Sequence, residues 1–261
     1  MIASALASLL VLGAGTHVPE AAVSPDLRVH LLADEALPAD ALASLARPRA
    51  VLWLRTGGNT LRPATAKALS RFESAWVEVR PPVNAVQAGS FGAAPAAGLW
   101  LREGTIAAAW LTRFGARPFA QDHAGPWPDL PESARAAAAR APSRMGWSPH
   151  SDEALTVGAL SLIAAGRRPV LLVLPEGTAP PECDVEVPAL AFLTVRTARL
   201  ADAAAWSRCG AKVRVPVPAG ITEEALAPVL RSATRLELEV EVGGDERRAL
   251  AARRLLERLT P

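Results

Sequence analysis

The sequence contains no tyrosine, and it has two cysteines, two methionines and only two lysines, Lys67 and Lys212. Its two cysteines form neither a Cys-x-x-Cys pair nor a Cys/His cluster, so the ligand spacing of a structural zinc site is missing. No His-Glu-x-x-His, Gly-x-Ser-x-Gly, Walker A, protein-kinase or Gly-x-Gly-x-x-Gly motif occurs. These absences exclude the enzyme classes that those motifs define, and we expect neither a metal nor a cofactor.

The charge of the chain is nearly balanced. Its 28 Lys and Arg and 26 Asp and Glu give a formal net charge of +2 over 261 residues. That balance does not indicate a nucleic-acid or membrane-surface partner. Hydrophobic residues make up 50% of the chain, which is enough for a sizeable core. We predict one domain over residues 26–261.

The N-terminus predicts export. Residues 2–12 (IASALASLLVL) are apolar, and Gly13, Ala14 and Gly15 follow them. This run is shorter than the roughly 20 residues that cross a bilayer. It therefore predicts a signal peptide over residues 1–22, cleaved near residue 15 or near residue 22, and a periplasmic or secreted protein. No Lys or Arg precedes the run, so a buried first helix is the alternative.

Cys183 and Cys209 are the two cysteines. In an exported protein they would form a disulfide that closes a loop of about 27 residues, worth roughly 3 to 4 kcal/mol in the chain-entropy model. Two unpaired thiols are the alternative.

Strand-like runs recur along the chain, many of them at steps of about 23 to 25 residues, the length of a compact strand–helix unit. They begin near Leu27, Ala50, Ala75, Gly98, Ser143, Pro169, Ala189, Ala211 and Arg235. Residues 117–121 form a weaker tenth candidate. Helical patterns separate most of these runs, although the links 81–97 and 176–188 look non-helical. The pattern predicts an irregular (β/α)8-like, TIM-type barrel of mostly parallel strands, with an open doubly wound α/β sheet as the alternative.

Two late strands alternate strictly between aliphatic and charged residues. Residues 211–217 (AKVRVPV) contain Lys212 and Arg214, and residues 235–242 (RLELEVEV) contain Glu237, Glu239 and Glu241. Central strands of an open parallel sheet are apolar on both faces, so this alternation favours a barrel. We interpret Lys212, Arg214, Glu237 and Glu239 as an interior pairing network.

Ligands of parallel α/β folds bind where the strands end. Four arginines occur at or within one residue of predicted strand ends: Arg55, Arg80, Arg102 and Arg196. A guanidinium group binds two oxygens of an anion at once, so these residues predict an anionic ligand. Trp147, beside a loop, would stack on a sugar ring. The alternative is that the arginines pair with Glu78, Glu237, Glu239 and Glu241, and that Trp53, Trp76 and Trp100 fill the core.

Glycoside hydrolysis needs two carboxylates across a cleft. Glu78 and Glu241, near the ends of their strands, are the candidate catalytic pair. The sequence thus predicts an exported protein that binds an anionic or carbohydrate ligand at its strand ends, with glycan hydrolase or lyase activity as one hypothesis. A non-catalytic envelope or interaction module on a degenerate barrel is the other, so the sequence leaves open whether the protein is an enzyme.

Overall fold

A computed structural model describes residues 23–24, 26–58, 60–101, 119–124, 144–148, 170–173, 178–183 and 185–259. The predicted signal peptide lies outside these residues, as does Arg102. None of the helices in the described part of the chain combines the length and apolar character that a bilayer crossing requires.

The described residues contain ten β-strands, all paired in parallel. In chain order they are β1 Arg28–Asp34, β2 Ala50–Arg55, β3 Ser74–Glu78, β4 Gly98–Leu101, β5 Phe119–Ala124, β6 Arg144–Ser148, β7 Val170–Val173, β8 Leu193–Arg196, β9 Lys212–Val217 and β10 Leu236–Gly243. Nine of them match the nine predicted runs, and β5 overlaps the weaker tenth candidate. The α/β class and the curled parallel sheet agree with the prediction, whereas ten strands are two more than a (β/α)8 arrangement has.

Neighbours in the sheet are mostly neighbours in the chain. The order of pairing is β1-β10-β9-β8-β7-β6-β5-β4-β3-β2, and β1 also pairs with β2. The register of β1 against β10 shifts between Leu32 and Ala33. Because chain order and pairing order coincide, each strand places its C-terminal end beside those of its neighbours in the chain.

Six α-helices lie in the described residues: α1 Ala39–Ser44, α2 Pro63–Leu69, α3 Ala85–Phe91, α4 Leu200–Arg208, α5 Glu223–Arg231 and α6 Glu246–Leu259. A 3-10 helix spans Pro188–Phe192. The helix α3 corrects the prediction that the link 81–97 is non-helical. Its first turn is closed by a capping box in which Asn84 and Gln87 each accept a hydrogen bond from the other's backbone N–H.

Period-two alternation decides which side chains meet the helices. In β10, Leu236, Leu238, Val240 and Val242 are buried in the main apolar core, together with Leu255 and Leu256 of α6. The intervening glutamates are on the opposite face, because successive side chains of a strand point to opposite sides. We call the helix-covered side the outer face and the other side the inner face.

A disulfide joins Cys183 to Cys209, the residue that follows α4. Their Cα atoms are 5.4 Å apart, within the usual range for a bridge. The bond ties the segment 178–183 to the outer face of the sheet, since Cys209 belongs to the main core and Cys183 packs against it.

Candidate functional site

The first half of the inner face is aromatic. Trp53 of β2 stacks on Trp76 of β3, with ring centroids 5.0 Å apart and planes 5° apart. Trp100 of β4 meets Trp53 edge to face at 5.2 Å and 79°. Both geometries are favourable for aromatic pairs. We call these three residues the tryptophan wall, and they form a small apolar cluster with Val51 and Ala120, separate from the main core.

Gly98 makes room for this stacking. A Cβ atom built on Gly98 would lie 2.6 Å from Cε3 and 2.8 Å from Cζ3 of Trp76, and the two residues are direct partners across β3 and β4. The indole cannot withdraw easily, because Trp53 covers it on the stacked side. A side chain at position 98 would therefore disturb the whole wall.

We expect Gly98→Ala to lower the free energy of unfolding by about 1–3 kcal/mol through overpacking. Urea unfolding of the full chain measures this. Gly89→Ala is the matched control, because the added methyl group meets nothing within 4 Å and lies inside helix α3. That control should raise stability by about 0.5–1 kcal/mol. Equal effects of the two changes would contradict the packing argument.

The other half of the inner face is ionic. Arg214 of β9, with 3% of its surface exposed, donates to Glu237 Oε2 of β10 through Nε at 3.0 Å and also through Nη2. Arg196 of β8 donates through Nε and Nη2, each at 2.8 Å, to Glu239 Oε1 of β10. We call these four residues the ion-pair wall. Their mutual attraction is strong because the inner face keeps most of them from water.

His30 of β1 connects the two walls. Its Nδ1 accepts a hydrogen bond from Trp53 Nε1 at 2.9 Å. Its Nε2 lies 3.1 Å from Glu237 Oε2 and 2.9 Å from Arg214 Nη2. An indole N–H can only donate, so Nδ1 must present its lone pair.

A cavity lies between the two walls. It encloses about 390 Å³ of empty space, counting the part that is open to solvent. Among the residues that the structure describes, Leu32, Trp53, Trp100, Ala120 and Leu171 form its apolar lining. The polar lining in the same part of the chain is formed by Asp122, Arg214 and Glu239. Asp122 of β5 accepts a hydrogen bond of 2.8 Å from Trp100 Nε1.

The predicted catalytic carboxylates lie elsewhere. Glu78, 2% exposed, accepts hydrogen bonds from the backbone N–H of Thr56 at 3.0 Å and from Arg80 at 3.1 Å. Glu241 is exposed and pairs with Arg55. Neither carboxylate lines the cavity.

The predicted anion-binding arginines are engaged in ion pairs. Arg55 donates to Asp34 Oδ1 at 2.6 Å and to Glu241. Burial by itself disfavours the guanidinium cation, but the carboxylates of Glu241 and Asp34 outweigh it and raise the pKa of Arg55. Arg80 pairs with Glu78, and Arg196 pairs with Glu239. Trp147 lies on β6, but its side chain, like Arg102, is outside the described residues.

The sequence contains a signal for the tryptophan wall. In β2 and β3 a tryptophan precedes a charged residue by two positions, Trp53 with Arg55 and Trp76 with Glu78. Trp100 precedes Arg102 by the same spacing in the sequence. A spacing of two places both members on one face of a strand. The tryptophans therefore had to share the inner face with the charges, rather than fill the helix-covered core.

Comparison with known proteins finds no matching family model, and no curated protein has a matching sequence. Among the residues that the structure describes, no group of three or more His, Cys, Asp or Glu side chains is arranged to hold a metal ion.

Proposed function

We propose that this chain is an exported, barrel-like protein that binds a small carbohydrate in the cavity between the tryptophan wall and the ion-pair wall. The observation that supports this most is the composition of the cavity lining, which divides between indole rings and charged groups. A pyranose has the same division. Its C–H groups form a flat apolar face, and its hydroxyl groups project from the edge.

Each side of the cavity suits one part of a sugar. Tryptophan offers a large rigid apolar surface at little cost in side-chain entropy. Carboxylates such as Asp122 and Glu239 accept hydrogen bonds from hydroxyl groups, and the guanidinium of Arg214 donates them. A few polar groups set into an apolar lining are typical of small-molecule sites.

A neutral ligand fits the site better than an anion. Arg55, Arg80 and Arg196 are each bound to a carboxylate, and the lining residues that the structure describes include two carboxylates beside one arginine. Because these carboxylates outnumber the guanidinium group, this part of the lining disfavours an anion. The ion pairs of Glu78 and Glu241 also support a binding protein over a hydrolase that uses these two residues.

Export and barrel architecture belong to the same proposal. A disulfide between Cys183 and Cys209 suits an oxidising compartment such as the periplasm or the exterior. The pairing of β1 with both β2 and β10 supports a (β/α) barrel of TIM type, enlarged to ten strands, over an open doubly wound sheet.

We expect Trp100→Phe to weaken sugar binding at least about tenfold, because the change removes indole surface and the N–H that holds Asp122. Calorimetric titration of the full chain measures this with D-glucose, D-galactose, D-mannose and D-xylose, and with glucuronic and galacturonic acids. Trp206→Phe is the matched control, because Trp206 is buried in the main core and its Nε1 has no hydrogen-bond partner. The control should bind as the unmodified protein does.

Absence of binding by every compound in this panel would contradict the proposed function. Equal losses in the two tryptophan variants would also contradict it, because the cavity would then have no specific part in binding.

A further inference from the structure

We infer that Arg214 Nη1 and Glu239 Oε2 together recognise two adjacent hydroxyl groups, a vicinal diol, of a neutral sugar. This inference rests on the proposed function and specifies the part of the ligand that the cavity selects. It depends on counting the hydrogen-bonding capacity that the ion-pair wall leaves unused.

Arg214 has unused donors. Its Nε and Nη2 are directed to Glu237, and Nη2 also lies beside His30. Within the described residues no contact engages Nη1, which has two N–H donors. Trp206 Nε1 is the one side-chain nitrogen or oxygen of those residues that is both fully buried and without a partner. Nη1 is therefore accessible. Because Arg214 is 97% enclosed and lines the cavity, a ligand contacts Nη1 from the cavity.

Glu239 has an unused acceptor. Both contacts of Arg196 are made to Oε1, and across the described part of the chain no donor contacts Oε2. The same reasoning leaves Oε2 accessible, and Glu239 also lines the cavity. Arg214 is on β9 and Glu239 on the adjacent β10, one inner-face position apart in register. A donor and an acceptor thus lie side by side on one wall of the cavity.

A vicinal diol satisfies both groups. One hydroxyl oxygen accepts from Nη1, and the neighbouring hydroxyl donates its proton to Oε2. A carboxylate ligand would satisfy Nη1 but would face the negative charge of Glu239, and an ammonium ligand would satisfy Oε2 but face Arg214. The pair therefore discriminates against ions of either sign, and the opposite tryptophan wall accommodates the apolar side of the ring.

The ligand itself provides the first test. The tightest-binding sugar of the panel is titrated beside its monodeoxy analogues, each lacking one hydroxyl group, with the unmodified full chain. We expect two analogues modified at adjacent carbons to bind at least about tenfold more weakly, since each loses a hydrogen bond to a charged group. The corresponding uronic acid should bind no more tightly than the sugar.

The variant Glu239→Leu provides the second test, and Glu241→Leu on the same strand is its matched control, since Glu241 pairs with Arg55 outside the cavity. Only the change at Glu239 should weaken binding tenfold or more. The inference is overturned if the uronic acid binds tenfold more tightly than the sugar, or if no two analogues modified at adjacent carbons bind more weakly than the sugar. It is also overturned if the Glu239→Leu and Glu241→Leu variants bind the sugar equally well. In each of these outcomes sugar binding itself remains, which separates them from failure of the proposed function. If no compound of the panel binds, both the vicinal-diol inference and the proposed function are overturned.

Discussion

Replacement of Glu237 by leucine is expected to lower the free energy of unfolding by about 3–5 kcal/mol. The change deletes the carboxylate to which Arg214 donates through Nε and Nη2. Arg214 is 3% exposed, so its guanidinium charge would stay buried without that anion. A buried charge that loses its partner is far more costly than an exposed pair that is broken. Urea unfolding, followed by circular dichroism, measures the loss.

A double variant separates charge from packing in this experiment. Arg214→Leu combined with Glu237→Leu removes both charges, and we expect it to be more stable than Glu237→Leu alone, because no unpaired ion remains. Glu257→Leu is the surface control. It breaks an exposed pair with Arg253 on α6 and should leave the unfolding midpoint nearly unchanged. If Glu237→Leu and Glu257→Leu had equal effects, the inner-face pair would not stabilise the fold.

The strands were predictable because local pattern determines them. Short aliphatic runs, spaced by one helix length, identified nine of the ten strands that the structure describes. The weaker candidate, β5, is hard to recognise because its sequence FAQDHA has few aliphatic residues. The helix α3 was missed for a similar reason, since its seven residues include Gly89 and Ser90 and lack an apolar repeat. Its capping box, Asn84 with Gln87, was the available signal.

The sequence indicated that Arg214, Glu237 and Glu239 belong to one interior network, but which side chains pair depends on register between strands. Arg214 and Glu237 are direct partners across β9 and β10, so that pair follows once the register is known. Arg196 faces Arg214 on the adjacent strand, and like charges repel. Glu239 faces Pro216, which has no charge. Arg196 therefore extends past β9 to Glu239, a contact between strands that are not neighbours.

The cavity follows from a contrast in side-chain size that the sequence shows only when strands are aligned. Trp76 is opposite Gly98, and Trp100 is opposite Ala120. Each large ring thus has a small neighbour, and Ala120 lines the cavity beside Trp100. A single strand does not show these neighbours, so the sequence alone does not indicate that Asp122 lines a cavity with Trp53 and Trp100.

The disulfide has the second large expected effect. Cys183 and Cys209 are separated by 26 positions, and closing a loop of this length lowers the entropy of the unfolded chain enough to stabilise the fold by roughly 3–4 kcal/mol. The described residues of the segment that it fastens, 178–183 and 185–187, contain no helix or strand, and a 3-10 helix follows at Pro188–Phe192. Apart from the bridge, its link to α4 includes the backbone hydrogen bond from Val187 N–H to the carbonyl of Cys209.

The double variant Cys183→Ala/Cys209→Ala is therefore expected to unfold at a lower urea concentration, with the free energy of unfolding reduced by roughly 3–4 kcal/mol. Dithiothreitol should destabilise the unmodified protein by a similar amount and leave the double variant unaffected, because the chain has no other cysteines. Sugar binding gives an independent readout. The bridge lies on the outer face, away from the cavity, so the folded double variant should keep its affinity. Coincident unfolding curves with and without dithiothreitol would show that the bridge does not stabilise the native state.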